Sequence, residues 1–252
     1  MKKAVIITVA GTSTRFRKSI GRDCLKCIYT EGSAKDTLLY RLVELCHDFD
    51  KIVIVGGYKF EDLSCFVSKE LSDFSSKISL IKNNHYEDFG SGYSLLVGVN
   101  ELKNTEVDEV IFAEGDLFFD SVSFSKISES TFSVITTNSD PIEAKKAVAF
   151  YVNADGKAKY IYDTNHTSLE IKEPFIGIYN SGQVWKFQEP EKLFSSSNKL
   201  TEKEKGGTNL VLIQKYFDQI DADKLQVIHF DKWINCNTVE DYRKYGGINE
   251  FK

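Results

Sequence analysis

The chain predicts an α/β fold, a doubly wound and mainly parallel sheet with a smaller antiparallel extension behind it. The first half alternates short apolar runs with amphipathic segments, the order expected of β-α-β units. The runs are β-branched and nearly unbroken, as strands buried on both faces read. From Ala147 onward the pattern changes to hairpin-like strands.

The first strand is Ala4, Val5, Ile6, Ile7 to Val9, which stops at Ala10-Gly11-Thr12-Ser13-Thr14 and meets Arg15. Residues 37–46 carry a helical stripe of Leu38, Leu39, Leu42, Val43 and Leu45, with Asp36 placed to cap it. A second strand covers 51–55 and ends in Gly56-Gly57, followed by a helix over 61–74 and a third strand over 78–81. A helix over 93–102, a fourth strand over 109–113 and a fifth over 132–136 complete the series. Beyond it, 147–152 and 158–162 flank the turn Ala154-Asp155-Gly156-Lys157 as a hairpin, and 174–179 adds a short strand. Residues 195–207 are polar and read as a mobile loop, with 203–205 a solvated charge run. No internal repeat is present.

Composition limits the function. With 252 residues, 42% hydrophobic and 27% charged, the chain has enough apolar residues for one sizeable core and reads as a single domain over 1–252. The net charge of -5 and pI near 5.5 leave no basic stripe for a nucleic acid. No run reaches the roughly 18 apolar residues of a membrane span. The opening Met1-Lys2-Lys3 and apolar run resemble a secretory leader, but the run ends after about eight residues without a small-residue cleavage site. The expectation is a cytoplasmic protein.

Five cysteines, Cys24, Cys27, Cys46, Cys65 and Cys236, form no disulfide framework and suit a reducing compartment. Cys24 and Cys27 make a C-x-x-C, but no second pair accompanies it and the four histidines (His47, His85, His166, His229) are isolated, which argues against zinc.

In open α/β sheets ligands bind beyond the carboxyl ends of the strands, so the loops there hold the candidate site. After the first strand, Ala10, Gly11, Thr12, Ser13 and Thr14 are small residues whose backbone N–H groups can close on phosphate oxygens, with Arg15 and Lys26 supplying charge. After the third strand, Gly90, Ser91 and Gly92, with Ser94 beyond, let a flat base or ribose approach the backbone. After the fourth comes Glu114-Gly115-Asp116, where Glu114 joins the nucleotide-binding set and Asp116 is the acidic residue at a strand's carboxyl end that a Mg²⁺ ion needs. The conjunction points to a nucleoside triphosphate.

The stretch Ala10 to Phe16 with Lys26 resembles the A-G-x-G-T/S-R-x…P-K signature of nucleotidyltransferases that join nucleoside triphosphates to sugar phosphates or other phosphorylated alcohols. Glu114-Gly115-Asp116 is similar to their metal aspartate, and Trp233 to Thr238 to their W-x-D-x-x-T ending. Tyr86-Glu87 and Tyr93-Ser94-Leu95 look like the branch containing choline-phosphate and 2-aminoethylphosphonate cytidylyltransferases of surface-polymer pathways. Ser13 stands where the family has glycine, Leu25 where it has proline, and Asn235 where it has a second metal aspartate.

The resemblance implies a Rossmann-like fold with a nucleotide-binding half over about 1–140 and an acceptor half over about 141–252. It implies CMP transfer from CTP to a small phosphorylated or phosphonate acceptor, with pyrophosphate released. Lys26 would meet the α-phosphate and Arg15 the β- and γ-phosphates, while Asp116 holds Mg²⁺ with an amide oxygen of Asn235 or Asn237. The enzyme would act as a monomer or homodimer.

The later half is rich in aromatics and acids: Tyr160, Tyr162, Asp163, Glu170, Glu173, Trp185 and Trp233. An acceptor pocket of Tyr162, Glu173 and Trp233 would favour a cationic head group such as phosphocholine or 2-aminoethylphosphonate. A sugar 1-phosphate acceptor with CTP, UTP or another triphosphate is the alternative. A glycosyltransferase using Glu114 and Asp116, or a nucleotide-binding protein without turnover, are the rivals from other classes.

Overall fold

The computed structural model describes residues 1–162 and 167–246. Along the chain run β1 (Lys3–Val9), α1 (Thr14–Ile20), α2 (Leu38–Leu45), β2 (Lys51–Gly56), α3 (Phe60–Glu70) and β3 (Ile78–Lys82). Then come α4 (Ser91–Leu102), β4 (Glu109–Glu114), β5 (Leu117–Phe119), α5 (Ser121–Glu129), β6 (Ser133–Asn138), β7 (Ala149–Asn153) and β8 (Ala158–Tyr160). The remainder is β9 (Phe175–Phe187), α6 (Pro190–Asn198), α7 (Glu202–Lys205), α8 (Leu210–Phe217), β10 (Leu225–His229), β11 (Trp233–Asn235) and α9 (Val239–Gly246).

The expected doubly wound sheet is present, in the order β10-β6-β9-β4-β1-β2-β3. β1 pairs in parallel with β2 and β4, β2 with β3, and β6 with β10. Alternation along β1 explains why an unbroken apolar run is needed. Ala4 and Ile6 enter the core that includes Leu95, Val99 and Leu212, whereas Val5, Ile7 and Val9 enter the opposite core with Leu39, Val43 and Phe124. A polar residue at any of these positions would be buried without a partner.

Several sequence expectations shift. Thr37, not Asp36, caps α2: its hydroxyl accepts the Tyr40 N–H at 3.2 Å, while Asp36 closes the preceding turn by accepting the Ser33 N–H at 2.9 Å. The 61–74 helix ends earlier, at Glu70, and continues as a separate short turn over 72–74. Residues 195–207 are not a loop. They finish α6 and form α7, whose start is closed by the reciprocal Thr201–Glu204 capping box.

The largest difference is β9. In place of a short strand over 174–179, a 13-residue strand inserts antiparallel between β4 and β6. It passes from a half exposed at Phe175 and Ile176 to a fully buried half ending at Phe187.

Cys24 is half-buried and Cys27 is buried, and all five cysteines are free. Burial pushes the Cys27 thiol up to about 12, which leaves it a packing residue rather than a nucleophile. Among the described residues, no helix is long and apolar enough to cross a membrane.

At the amino end of β4, opposite the cavity, Lys186 of β9 meets Glu109 of β4 at 2.8 Å, both essentially inaccessible. Lys186 Nζ also donates to the Ser128 and Ser130 carbonyls at 2.9 and 2.6 Å. Burial lowers the Lys186 pKa, and Glu109 opposes that shift. Removing one partner of such a pair is far costlier than replacing both. Lys186→Met is therefore expected to lower the unfolding free energy by about 3 kcal/mol. The double variant Lys186→Met/Glu109→Leu should recover most of it in the same denaturant titration.

Candidate active site

A cavity of about 350 Å³ opens at the carboxyl ends of β1, β3 and β4. Its floor is the loop leaving β1. Ser13 adopts φ 54°, ψ 28°, the left-handed region that glycine enters freely and other residues at a cost. The loop thus keeps a glycine-like backbone although serine stands there. The serine gains a compensating contact, since its Oγ accepts the Lys26 N–H at 3.2 Å. Tyr58, after β2, donates its N–H to the Ala10 carbonyl at 3.1 Å and fixes the start of the same loop.

The opposite wall is the end of β4. Gly115 donates to Thr8 O at 3.0 Å, and a Cβ there would lie 2.2 Å from Val9 Cγ1, so only glycine allows this approach. The close contact sets Glu114 and Asp116 on either side of it. Lys26 Nζ donates to Asp116 Oδ2 at 2.8 Å, joining the two loops by an ion pair. Glu114 is half-buried, and Asn209 Nδ2 donates to its Oε1 at 2.7 Å. Burial first, then the neighbouring Asp116 charge, pushes the Glu114 carboxyl up to about 7, against the Asn209 hydrogen bond and Lys26.

Two oxygens beside this wall lack partners. Asp116 Oδ1 and Asn235 Oδ1 are both buried and take no hydrogen bond. They belong to adjoining backbone: Asn235 pairs with Leu117 in the β5–β11 ladder, and Cys236 donates its N–H to Asp116 O at 2.8 Å. Among the described residues no group of three or more His, Cys, Asp or Glu side chains could hold a metal ion. A carboxylate and an amide oxygen, both unengaged, suit a hard cation that keeps most of its coordination for water and phosphate.

The third wall follows β3. Asn83 is buried and donates from Nδ2 to Ser94 Oγ at 2.9 Å, positioning the turn that carries Tyr86, Phe89 and Gly90. Against it lies a strap formed by residues 206–209. Gly90 and Gly92 donate to the Gly206 and Gly207 carbonyls at 2.9 and 3.0 Å, and the Asn209 N–H reaches Ser91 Oγ at 3.1 Å. The strap therefore links the Gly90–Gly92 turn directly to Glu114 through Asn209.

Of the residues singled out in the sequence, Ala10, Gly11, Thr12, Ser13 and Lys26 line the cavity together with Gly90, Ser91, Ser94, Glu114 and Asp116. Gly92 is engaged with the strap, and Thr14 pairs with Thr12 at 2.9 Å. Arg15 is exposed in the first turn of α1. Asn237 lies in the turn before α9, where its N–H donates to Asp241 at 3.0 Å.

The acceptor set is not gathered. Trp233 donates Nε1 to the Gly182 carbonyl at 2.7 Å, Glu173 accepts from Tyr151 at 2.7 Å, and Tyr162 is exposed; none of the three lines the cavity. Tyr160 and Trp185 are core residues, and Glu170 pairs with Lys172 at 3.6 Å on the surface. Asp163 and His166 lie outside the described residues. Asn83, Asn209 and the Gly206–Gly207 strap were missed. The Gly-Gly pair following a Thr-x-x-Glu box was the available signal for the strap.

The fold is shared with solved nucleotidyltransferases. The chain aligns over 96% of its length with the inositol-1-phosphate CTP transferase from T. maritima, covering 91% of that chain at 19% identity and TM-score 0.67. It also aligns over 98% with CTP:phosphocholine cytidylyltransferase from Streptococcus pneumoniae, covering 98% of that chain at 18% identity and TM-score 0.66. A candidate glucose-1-phosphate thymidylyltransferase from Bacillus anthracis, in complex with a sucrose, matches over 98% of this chain and 96% of its own at 16% identity and TM-score 0.69. At these identities the likeness is one of fold. By sequence, no curated protein matches. Residues 22–248 match the family described as a domain of unknown function, DUF6564, and the chain belongs to that family.

A Cβ on Gly90 would lie 2.4 Å from Gly207 O, and backbone cannot yield cheaply there. Gly90→Ala should therefore detach the strap and cost roughly 1–3 kcal/mol. Faster hydrogen exchange at the Gly90 and Gly92 amides, which now bond to the strap, would report the detachment.

Proposed function

We propose that the protein transfers CMP from CTP to a small phosphorylated or phosphonate acceptor, amine-bearing as in phosphocholine or 2-aminoethylphosphonate, for surface-polymer biosynthesis. The observation that carries the reading is the Lys26–Asp116 pair at 2.8 Å, set between the Ala10–Thr14 loop and two unengaged oxygens. A loop of small residues, a cation and an acid with one unengaged oxygen meet in one cavity. The two CTP enzymes among the similar structures support cytidine as the base.

In the reaction an acceptor phosphate or phosphonate oxygen attacks the α-phosphorus, a new P–O bond forms, and the bond to the β-phosphate breaks to release pyrophosphate. No covalent nucleophile is needed, so positioning and charge neutralisation carry the catalysis. Lys26 turns from Asp116 to the α-phosphate. Arg15, exposed and unpaired among the described residues, meets the β- and γ-phosphates. Asp116 Oδ1 and Asn235 Oδ1 are the residues that would hold Mg²⁺, which supplies Lewis-acid stabilisation of phosphoryl charge when bound. Gly90 and Ser91 form the nucleoside side of the cleft, with Gly92 holding the strap behind them.

A sugar 1-phosphate acceptor is the second reading, favoured by the dispersal of Tyr162, Glu173 and Trp233 away from the cavity. Pyrophosphate release measured with four triphosphates against phosphocholine, 2-aminoethylphosphonate and sugar 1-phosphates separates the two. Release without any phosphorylated acceptor, or none with any pair, would reject both.

Asp116→Ala should abolish metal-dependent turnover while the melting temperature shifts little, because the carboxylate serves charge rather than the core. Near-normal turnover would remove Asp116 from the metal site. Lys26→Ala should lower kcat/KM on the order of 10²-fold or more, whereas a loss below about threefold would make Lys26 a structural partner of Asp116.

A further inference from the structure

The backbone on both sides holds the Lys26–Asp116 pair in place. Lys26 sits between Leu25 and Cys27, each 3% exposed. Its N–H is held by Ser13 Oγ at 3.2 Å, and its carbonyl accepts the Tyr29 N–H at 3.2 Å. Asp116 is fixed from the other side, where its carbonyl accepts the Cys236 N–H at 2.8 Å. The two loops thus present ammonium and carboxylate to each other. With side chains only 15% and 25% exposed, water screens their attraction less than it would on an open surface.

Each partner consequently masks the other. A divalent cation held by oxygen ligands draws much of its affinity from the charge of its carboxylates. Asp116 Oδ1 is unengaged, but the charge of that carboxylate is already countered at Oδ2 by Lys26 Nζ at 2.8 Å. The neighbouring donors add little, since Asn235 offers a neutral amide oxygen and Glu114, the other acid lining the cavity, accepts from Asn209 Nδ2 at 2.7 Å. The converse holds for a triphosphate. Among the residues lining the cavity Lys26 is the one lysine or arginine. To reach phosphate oxygens it must leave Asp116, whose carboxylate then faces the anion as an unpaired negative charge.

We infer that the site takes a divalent cation and a triphosphate together, as one complex, and binds either alone weakly. This rests on the transferase reading above and specifies the form of its nucleotide. The complex brings opposite charge to both partners at once, with phosphate oxygens for the ammonium and a cation for the carboxylate, so neither side chain is left facing a like charge. Such coupling is reciprocal: whatever frees one partner improves binding at the other.

Two titrations on the full chain, neither using turnover, test this. Mn²⁺ followed by electron paramagnetic resonance, with no nucleotide present, should bind the native protein weakly, and Lys26→Met should tighten it at least about fivefold by uncovering the carboxylate. Adding Asp116→Asn to that variant should remove the gain. CTP followed by calorimetry in EDTA should bind Asp116→Asn at least about tenfold more tightly than the native protein, and Lys26→Met less tightly than native. The CTP titration separates masking from architecture, because a pair that only shaped the cleft would weaken CTP binding in both variants. Asp116→Asn preserves side-chain shape and decides the matter if Lys26→Met does not fold. Mn²⁺ binding to Lys26→Met within about twofold of native, or CTP binding to Asp116→Asn no tighter than native, overturns the inference, and CTP binding to the native protein with Mg²⁺ then leaves the transferase reading standing. A native protein that binds no triphosphate with Mg²⁺ present overturns both.

Discussion

The Lys26–Asp116 ion pair is the contact on which the site depends, because it joins loops that leave two different strands. Lys26 belongs to a segment with little regular structure of its own, held by its N–H to Ser13 and by Cys27 in the core. Asp116 follows Gly115, which fits only because β1 and β4 pair in parallel at the same height. A parallel ladder brings both strands' carboxyl ends to one edge, and the charge pair then closes the edge into a cavity. In a partly buried setting that attraction is screened less than on an open surface. In the proposed function its partners are the groups a triphosphate would address, so binding would compete with the contact that shapes the cleft.

The parallel half of the fold was legible because β1, β2 and β4 are central strands covered on both faces, and only unbroken apolar runs satisfy that environment. The second half of β9 is just as buried, but the polar Asn180, Ser181 and Gln183 and the intervening Gly182 interrupt the apolar run that would have extended the strand past 179. They are tolerated inside because their polar groups are largely answered locally: Asn180 donates to Asp140 O at 3.3 Å, and Ser181 takes the Gln183 N–H. Side-chain hydrogen bonds of this kind leave no periodic trace in a sequence. The strap was hidden for a different reason. Lys203 to Gly207 has a solvated composition, yet Glu204 is fixed by the Thr201 capping box and by Lys215 at 2.9 Å, and these contacts hold its carboxyl at about 2.

The acceptor side shows what composition cannot decide. Tryptophans and tyrosines on strands serve equally well as core or as ligand faces, and their number is the same in both cases. Tyr160 and Trp185 went to the core with Phe112 and Phe150, where the tyrosine hydroxyl answers the indole N–H. Only the pairing of β9 with β4 reveals this, since it turns Trp185 onto Phe112. The loop leaving β1 was readable as a cavity lining from residue type, because a run of small residues at a strand's carboxyl end lets the backbone face the cleft.

Strain is distributed in a way that agrees with this division. Among the described residues, the non-glycine positions with positive φ are Ser13, Lys59 and Gln183. Each costs on the order of 1 kcal/mol, and none lies in the lower part of the sheet. Ser13 follows β1, Lys59 follows β2, and Gln183 flanks the end of β4, so all belong to the edge where the cavity opens. Ser13 and Lys59 recover part of the cost through their own contacts, Ser13 with the Lys26 N–H and Lys59 with Asp23 at 3.2 Å and Asp62 at 3.2 Å. At Gln183 the support comes from its neighbours, with Ser181 Oγ taking its N–H at 3.1 Å and the Thr136 hydroxyl holding Val184 beside it.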